Sequence, residues 1–385
     1  MSTTLSTMIR LRGIQNKMRQ LVESLDETTC RTQFHPQLSP IGWHLGHCLY
    51  TENYWLHEII QDNNKYTKKQ KKIFSDNGLP IHKRGSKLPK LKKLLIQAQQ
   101  QQDTNDLLLI EMIPPLSNHP LFENEYIQNY IIQHYAQHFE VMQIIMNQSG
   151  LSKTDNNFIP ATPLTPDPII KTIEQLPHGE YKIGGETPFA YDNELPEHTV
   201  ELDTCNISMQ PVTNAEYLAF INDQGYQTPE LWSDDAWQWL TNNNIKHPEY
   251  WRQNKNNDWY GINELGPFEL TNSDFVYGIS HYEASAFACW ANARLPHENE
   301  WETCAKLERI KNSGQVWEWC SNTFEPYTNF TAFPEHAEET DFNQERYVLK
   351  GASQYTRPEI RRASFRNFYS PEKRHMFSGM RLVFE

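Results

Sequence analysis

The proline-rich stretch LSKTDNNFIPATPLTPDPII (151–170) separates two halves of different hydropathic texture, and this break constrains the fold more than any other feature. Its four prolines and sparse apolar positions predict a linker. Upstream, apolar residues recur at three- and four-residue steps through 8–25, 41–60, 91–112 and 121–147. That period predicts four amphipathic helices packed as a bundle over residues 1–150. Downstream, over 171–385, short strand-like pieces (GEYKIGG, HTVELDTCNISM, RYVLKGAS, MRLVFE) alternate with aromatic-rich irregular segments and brief helices. Nine of the eleven tryptophans follow residue 230, which fits an α+β domain rich in loops.

Charge and composition remove several classes of function. The formal net charge of −13 over 385 residues argues against nucleic acid as a partner, because phosphate binding needs a basic face. The longest apolar runs, such as DLLLIEMI, fall far short of a membrane span, and the N-terminal segment carries no apolar signal core. A cytoplasmic protein is expected. Six scattered cysteines without a CxxC pair read as reduced structural thiols. The helix–helix connection 63–93 is strongly basic within this acidic chain. It reads either as a solvated crossover or as an anion-contacting lid, with Arg84 the leading lid residue.

The segment IIQHYAQHFEVMQII (131–145) sets His134 and His138 four residues apart on one helical face, beside Ile131, Ile132, Val141 and Ile145. Two imidazoles do not close a metal site, so another helix must supply a ligand. SPIGWHLGHCLYTENYWL (39–56) offers His44 and His47 at i, i+3. Glu140 lies about 200° round the helix from His138 and reads as an interhelical or capping partner. Three imidazoles without a thiolate fit Zn²⁺ with a bound water, or ferrous iron with open positions for O2 and substrate. The ligand types alone do not choose between them.

Motifs in the second half occur in a consistent order: PVTNAEYLAFINDQGYQTPELW (211–232), GISHYEASAFACWANARLPHENEWE (278–302), GQVWEWCSN (314–322), LKGAS (349–353) and FSGMRL (377–382). Together they resemble the formylglycine-generating-enzyme-like domain, whose fold is related to C-type lectins. The first 150 residues resemble the DinB-like four-helix metal-binding bundle. The pairing is similar to the ergothioneine-biosynthetic sulfoxide synthases (EgtB type). The fold class so implied is a helical bundle followed by an α+β lectin-related domain. The function implied is that of a mononuclear non-haem Fe(II) enzyme using O2 to join a thiol to the imidazole of hercynine. By the same resemblance His47, His134 and His138 are the iron ligands, and His44 matches a position that does not ligate. Gln137, Asn367 and Phe368 are implied contacts of the imidazole substrate, and Tyr369, Lys373 and Arg374 of the thiol.

The chain also departs from the family. Its tyrosine-bearing catalytic stretch is replaced here by FPEHAEET, which leaves Tyr327 as the nearest candidate proton donor, in a different register. The segment between NEWETCAK and GQVWEW is short. A selenol in place of the thiol, or a non-catalytic ligand-binding role, are the alternatives on the same scaffold. A Zn²⁺- or Ni²⁺-dependent thiol transferase would leave the second half unexplained. A formylglycine-generating oxidase needs paired thiols near the C-terminal motifs, and the last cysteine is Cys320.

Overall fold

The structure, a computed structural model, describes residues 5–111, 118–169, 172–333, 342 and 345–385. It divides into two compact units, Met1–Ser149 with Thr187–Phe189, and Gly150–Glu186 with Ala190–Glu385. Most of the FPEHAEET stretch lies outside the described residues. Among those residues no helix is long and apolar enough to cross a membrane.

The first unit is helical, as its 3.6-residue period predicts. Its helices are α1 (Leu5–Glu23), α2 (Glu27–Arg31), α3 (Ile41–Asn53), α4 (Lys71–Phe74), α5 (Ile81–Lys87), α6 (Leu91–Glu111) and α7 (Tyr126–Gly150). A π-helical turn, Tyr54–Ile59, continues α3. The apolar stripe of α1 is Leu11, Ile14, Met18 and Val22, all buried. Asp26 caps α2 by accepting the Thr29 N–H at 2.7 Å, satisfying a backbone donor that the helix start leaves free.

The four long helices also share a buried carboxylate. Glu52 on α3 is fully buried and accepts from Gln15 of α1, Asn105 of α6 and, at 2.6 Å, the Tyr135 hydroxyl of α7. Burial raises its pKa from 4.5 to about 7, against the opposing pull of those donors. The folded pKa exceeds the unfolded one, so the folded state holds the extra proton. Its contribution is complete below about pH 4.5 and is lost as pH rises to 7, roughly 3 kcal/mol in all. Urea unfolding at pH 5 and pH 8 is expected to show this loss, and Glu52→Gln to flatten it. Equal slopes in the two proteins would remove Glu52 as the cause.

The second unit is built from short strands and capped helices. A three-stranded sheet runs β1–β4–β12, from β1 (Ile173–Leu176), β4 (Cys205–Ser208) and β12 (Val383–Phe384). A hairpin pairs β2 (Gly179–Ile183) with β3 (His198–Leu202). A third sheet joins β5 (Trp251–Gln253), β6 (Trp259–Asn263) and β7 (Gly266–Phe268). The four-stranded sheet runs β10–β9–β8–β11, from β8 (Trp317–Thr323), β9 (Tyr347–Gly351), β10 (Asn367–Tyr369) and β11 (Ser378–Gly379). The helices are α8 (Asn214–Asn222), α9 (Asp234–Asn243), α10 (His281–Trp290) and α11 (Glu298–Lys306). TNAE, SHYE and HENE each form a reciprocal capping box, at Thr213/Glu216, Ser280/Glu283 and His297/Glu300. The core gathers Leu176, Ile207, Trp301, Phe324, Val348 and Val383.

The proline-rich stretch is not a free spacer. After a 3-10 turn at Leu151–Lys153 it has no regular structure through 169, yet it is pinned along the second unit. Asn254 donates to the Phe158 carbonyl, Glu269 accepts from the Thr162 N–H, and Asn272 accepts from the Thr165 N–H. Prolines remove backbone donors from this stretch, and side chains of the β5–β7 region meet groups that remain.

Candidate metal centre

Three histidine side chains converge in the first unit. His47 of α3 and His134 and His138 of α7 each offer a ring nitrogen, and these atoms all lie within 4.8 Å of one another. Their ring centroids are 4.5 to 5.1 Å apart. His47 is buried, while His134 and His138 keep some exposure. Low-dielectric surroundings push all three pKa values down, well down for His134 and His138, so the rings are neutral and carry free lone pairs. Among the described residues this is the group of three or more such side chains close enough to hold an ion. Neutral imidazoles within a few ångströms, partly open to solvent, suit a metal that keeps vacant positions.

Local packing explains why His47 faces inward correctly. Gly46 has no side chain, and a Cβ there would lie 2.1 Å from the Phe74 ring. Phe74 therefore packs directly on α3, and its carbonyl oxygen comes to 2.7 Å from His47 Nδ1. A carbonyl only accepts, so Nδ1 carries the proton and Nε2 keeps the lone pair. Trp43 stacks on the same imidazole at 4.6 Å and 15°, and its Nε1 donates to the Ile73 carbonyl at 2.7 Å. The Asp76 carboxylate stands 3.7 Å from His47 Nε2. Sequence reasoning missed both Phe74 and Asp76, since neither has a spacing signal linking it to α3. His44 is not in the triad; its Nδ1 meets His138 Nδ1 at 2.9 Å. Cys48 is fully buried, which drives its thiol well above the usual range.

The basic connection is a largely solvated crossover, with its lysines exposed and Arg84 turned inward. Arg84 is buried, with its guanidinium 4.0 Å above the Trp43 ring. Its donors go to Ser39 Oγ and to the carbonyls of Leu79 and Asp76. Stacking and internal acceptors occupy this cation, so Arg84 braces the Trp43–His47 stack instead of meeting an anion.

Other expected site residues lie elsewhere. Gln137 sits half-buried on α7 between the two histidines, and Glu140 is buried. In the second unit, strand β10 turns Phe368 against the core, stacked on Phe324 at 4.0 Å and 18°. That contact packs one side of the half-buried ring against the core cluster. Asn367 and Tyr369 point to the opposite face of the pleat, half-buried. Lys373 pairs with Glu372. Arg374 is held between Glu249 at 3.0 Å and Glu283 at 3.3 Å, which neutralise it within the fold. Tyr327 is buried, its ring 4.2 Å from the Arg366 guanidinium and its hydroxyl 3.5 Å from Glu298. Burial pushes that phenol far up, so the hydroxyl keeps its proton in the folded chain.

Comparisons with known proteins agree with this architecture. The sulfatase-modifying factor enzyme 1-like domain matches residues 165–310 and 307–385, and the DinB superfamily matches 10–142. The hercynine oxygenase of Mycolicibacterium smegmatis is 27% identical, over 95% of this chain and 95% of its own length. That of Mycobacterium tuberculosis is 25% identical, again over 95% of each. The formylglycine-generating enzyme of Thermomonospora curvata is 29% identical, over 37% of this chain and 51% of its own. A helical bundle ahead of a lectin-related α+β domain is thus what the chain shares with relatives along nearly its whole length. It belongs to the sulfatase-modifying factor enzyme 1-like family, as a divergent relative of the hercynine oxygenases that carries a DinB domain at its N-terminal end.

Proposed function

We propose that this chain is a mononuclear Fe(II), O2-dependent sulfoxide synthase joining cysteine or γ-glutamylcysteine to the imidazole of hercynine. The observation that carries the reading is the match to hercynine oxygenases across 95% of both chains, in a protein whose α3 and α7 bring three neutral imidazoles together. Formylglycine-generating relatives match only part of the chain, and the last cysteine here, Cys320, is buried far from the C-terminal motifs in sequence. Zinc has no redox chemistry, so an oxygenase on this triad calls for iron.

His47, His134 and His138 would hold the iron, which when bound supplies a redox couple for O2 and open positions beside it. The overall conversion balances with one O2: the imidazole C–H and the thiol S–H break and a C–S bond forms. One oxygen atom stays on sulfur, and the other leaves as water with the two hydrogens. The chain's own part is positional. Phe74 keeps the His47 proton on Nδ1, and the low dielectric keeps all three rings uncharged. Gln137, on α7 between His134 and His138, is the proposed polar contact for a substrate at the triad.

Anaerobic loading of the full chain with Fe(II), followed by O2 and hercynine with each thiol, is expected to consume O2 only when both substrates are present. The sulfoxide is expected by mass spectrometry. Iron-bound protein that takes up no O2 with any such pair refutes the reading.

A further inference from the structure

We propose that His44 is a positioning residue for His138. Its Nδ1 accepts the His138 Nδ1 proton, which turns the His138 Nε2 lone pair toward the other two imidazoles. The inference rests on the reading of the triad as a metal site. It does not depend on the substrate.

The argument starts from the two Nδ1 atoms, 2.9 Å apart, with the rings inclined at 42°. A contact of this length between two ring nitrogens needs one to donate and the other to accept. Two neutral imidazoles facing through these nitrogens place one proton between them. If His44 donates, His138 keeps its proton on Nε2 and spends its only lone pair on His44. His138 then has no lone pair left for a metal. If His138 donates, Nε2 is bare and ligates, and His44 must carry its own proton on Nε2. The second arrangement is the one that leaves His138 able to join His47 and His134, and it puts the His44 proton on Nε2, a buried atom with no hydrogen-bond partner among the described residues.

The His44 ring itself has little freedom. It is buried, edge-on to Trp43 at 5.2 Å and 89°. Trp43 in turn stacks on His47 and lies under Arg84. One aromatic residue therefore braces a proposed ligand and the residue that orients another. Metal-bound histidines commonly give their second N–H to a carboxylate or a carbonyl. Here His47 follows that pattern through Phe74, while His138 uses an imidazole.

The test compares His44→Phe with His44→Gln in the full chain, using Co(II) as the probe. Phenylalanine fills the space and removes the acceptor, whereas a glutamine carbonyl can still accept from His138 Nδ1. Co(II) titration followed by its ligand-field absorption is expected to show about 10- to 100-fold weaker binding in His44→Phe. Most of the affinity should return in His44→Gln, with an unchanged number of nitrogen ligands in both. Equal affinity in wild type and His44→Phe overturns the proposal. So does a spectrum that loses one nitrogen ligand in both variants, because His44 would then be a ligand. Thermal melting of the metal-free variants separates a folding defect, which would lower both alike and leave no difference between Phe and Gln in affinity. A wild-type chain that binds no Co(II) overturns it too, whereas one that binds Co(II) yet shows no O2 uptake overturns only the proposed substrate chemistry.

Discussion

Replacing His138 or His134 with alanine is expected to weaken Fe(II) and Co(II) binding by about 100-fold or more, beyond the ten- to hundredfold typical of outer-shell partners. Substrate-dependent O2 uptake should fall with it. Both residues lie on α7 in the three-histidine group, and two imidazoles without a thiolate do not complete a site. His47→Ala should behave alike, with the further loss of the bond to the Phe74 carbonyl. Since none of the three side chains is charged in the folded chain, alanine removes no ion pair, and the variants should stay folded. Metal titration with circular dichroism checks both parts. A His138→Ala protein that retains full iron occupancy would falsify the ligand assignment.

How much of this site could be read in the sequence follows from how local each contact is. His134 and His138 were legible because a helix converts a four-residue interval into a shared face, and α7 is a single unbroken helix across them. The helical bundle and the α+β second half were legible for the same reason, as periods and capping boxes are local. His47 and His44 were harder. Both lie on the inner face of α3, and choosing between them requires Phe74, twenty-seven residues downstream, which Gly46 admits. Arg84 read as a free cation because its acceptors and the Trp43 ring are remote in sequence. In SFRNFY, three consecutive residues were read as one lining, and a strand's two-residue period packs the half-buried Phe368 on the core cluster with Asn367 and Tyr369 on the other face. The proline-rich stretch gave a correct sign of a texture change but no sign of the side chains that pin it.

The largest stability effect is expected at Arg381 in the second unit. This arginine and Glu318 have no exposed side-chain surface, and the guanidinium binds the carboxylate through two nitrogens, at 2.8 and 3.0 Å. It also donates to the carbonyls of Ser208 and Lys311, while Trp301 Nε1 donates to Glu318 at 2.7 Å. WEW on β8 is thereby tied to MRL beside β12, to the end of β4 and to α11. Arg381→Met leaves the glutamate buried with only the indole donor, and stranding a buried charge in this way costs about 3–5 kcal/mol. For a unit of this size that corresponds to a fall in Tm of about 10 °C. A second fully buried pair, Lys350–Glu302, should be more tolerant, because Lys306 also reaches Glu302 at 2.9 Å and remains if Lys350 is lost. Adding Glu318→Leu to Arg381→Met removes the stranded charge and should recover much of the loss. It cannot recover all of it, since the Trp301 N–H and the two carbonyls lose their partners in the double variant. Thermal unfolding of the two singles and the double forms the cycle. A double variant as unstable as the sum of its parts would show that Arg381 acts through packing and backbone bonds, with the charge pair contributing nothing.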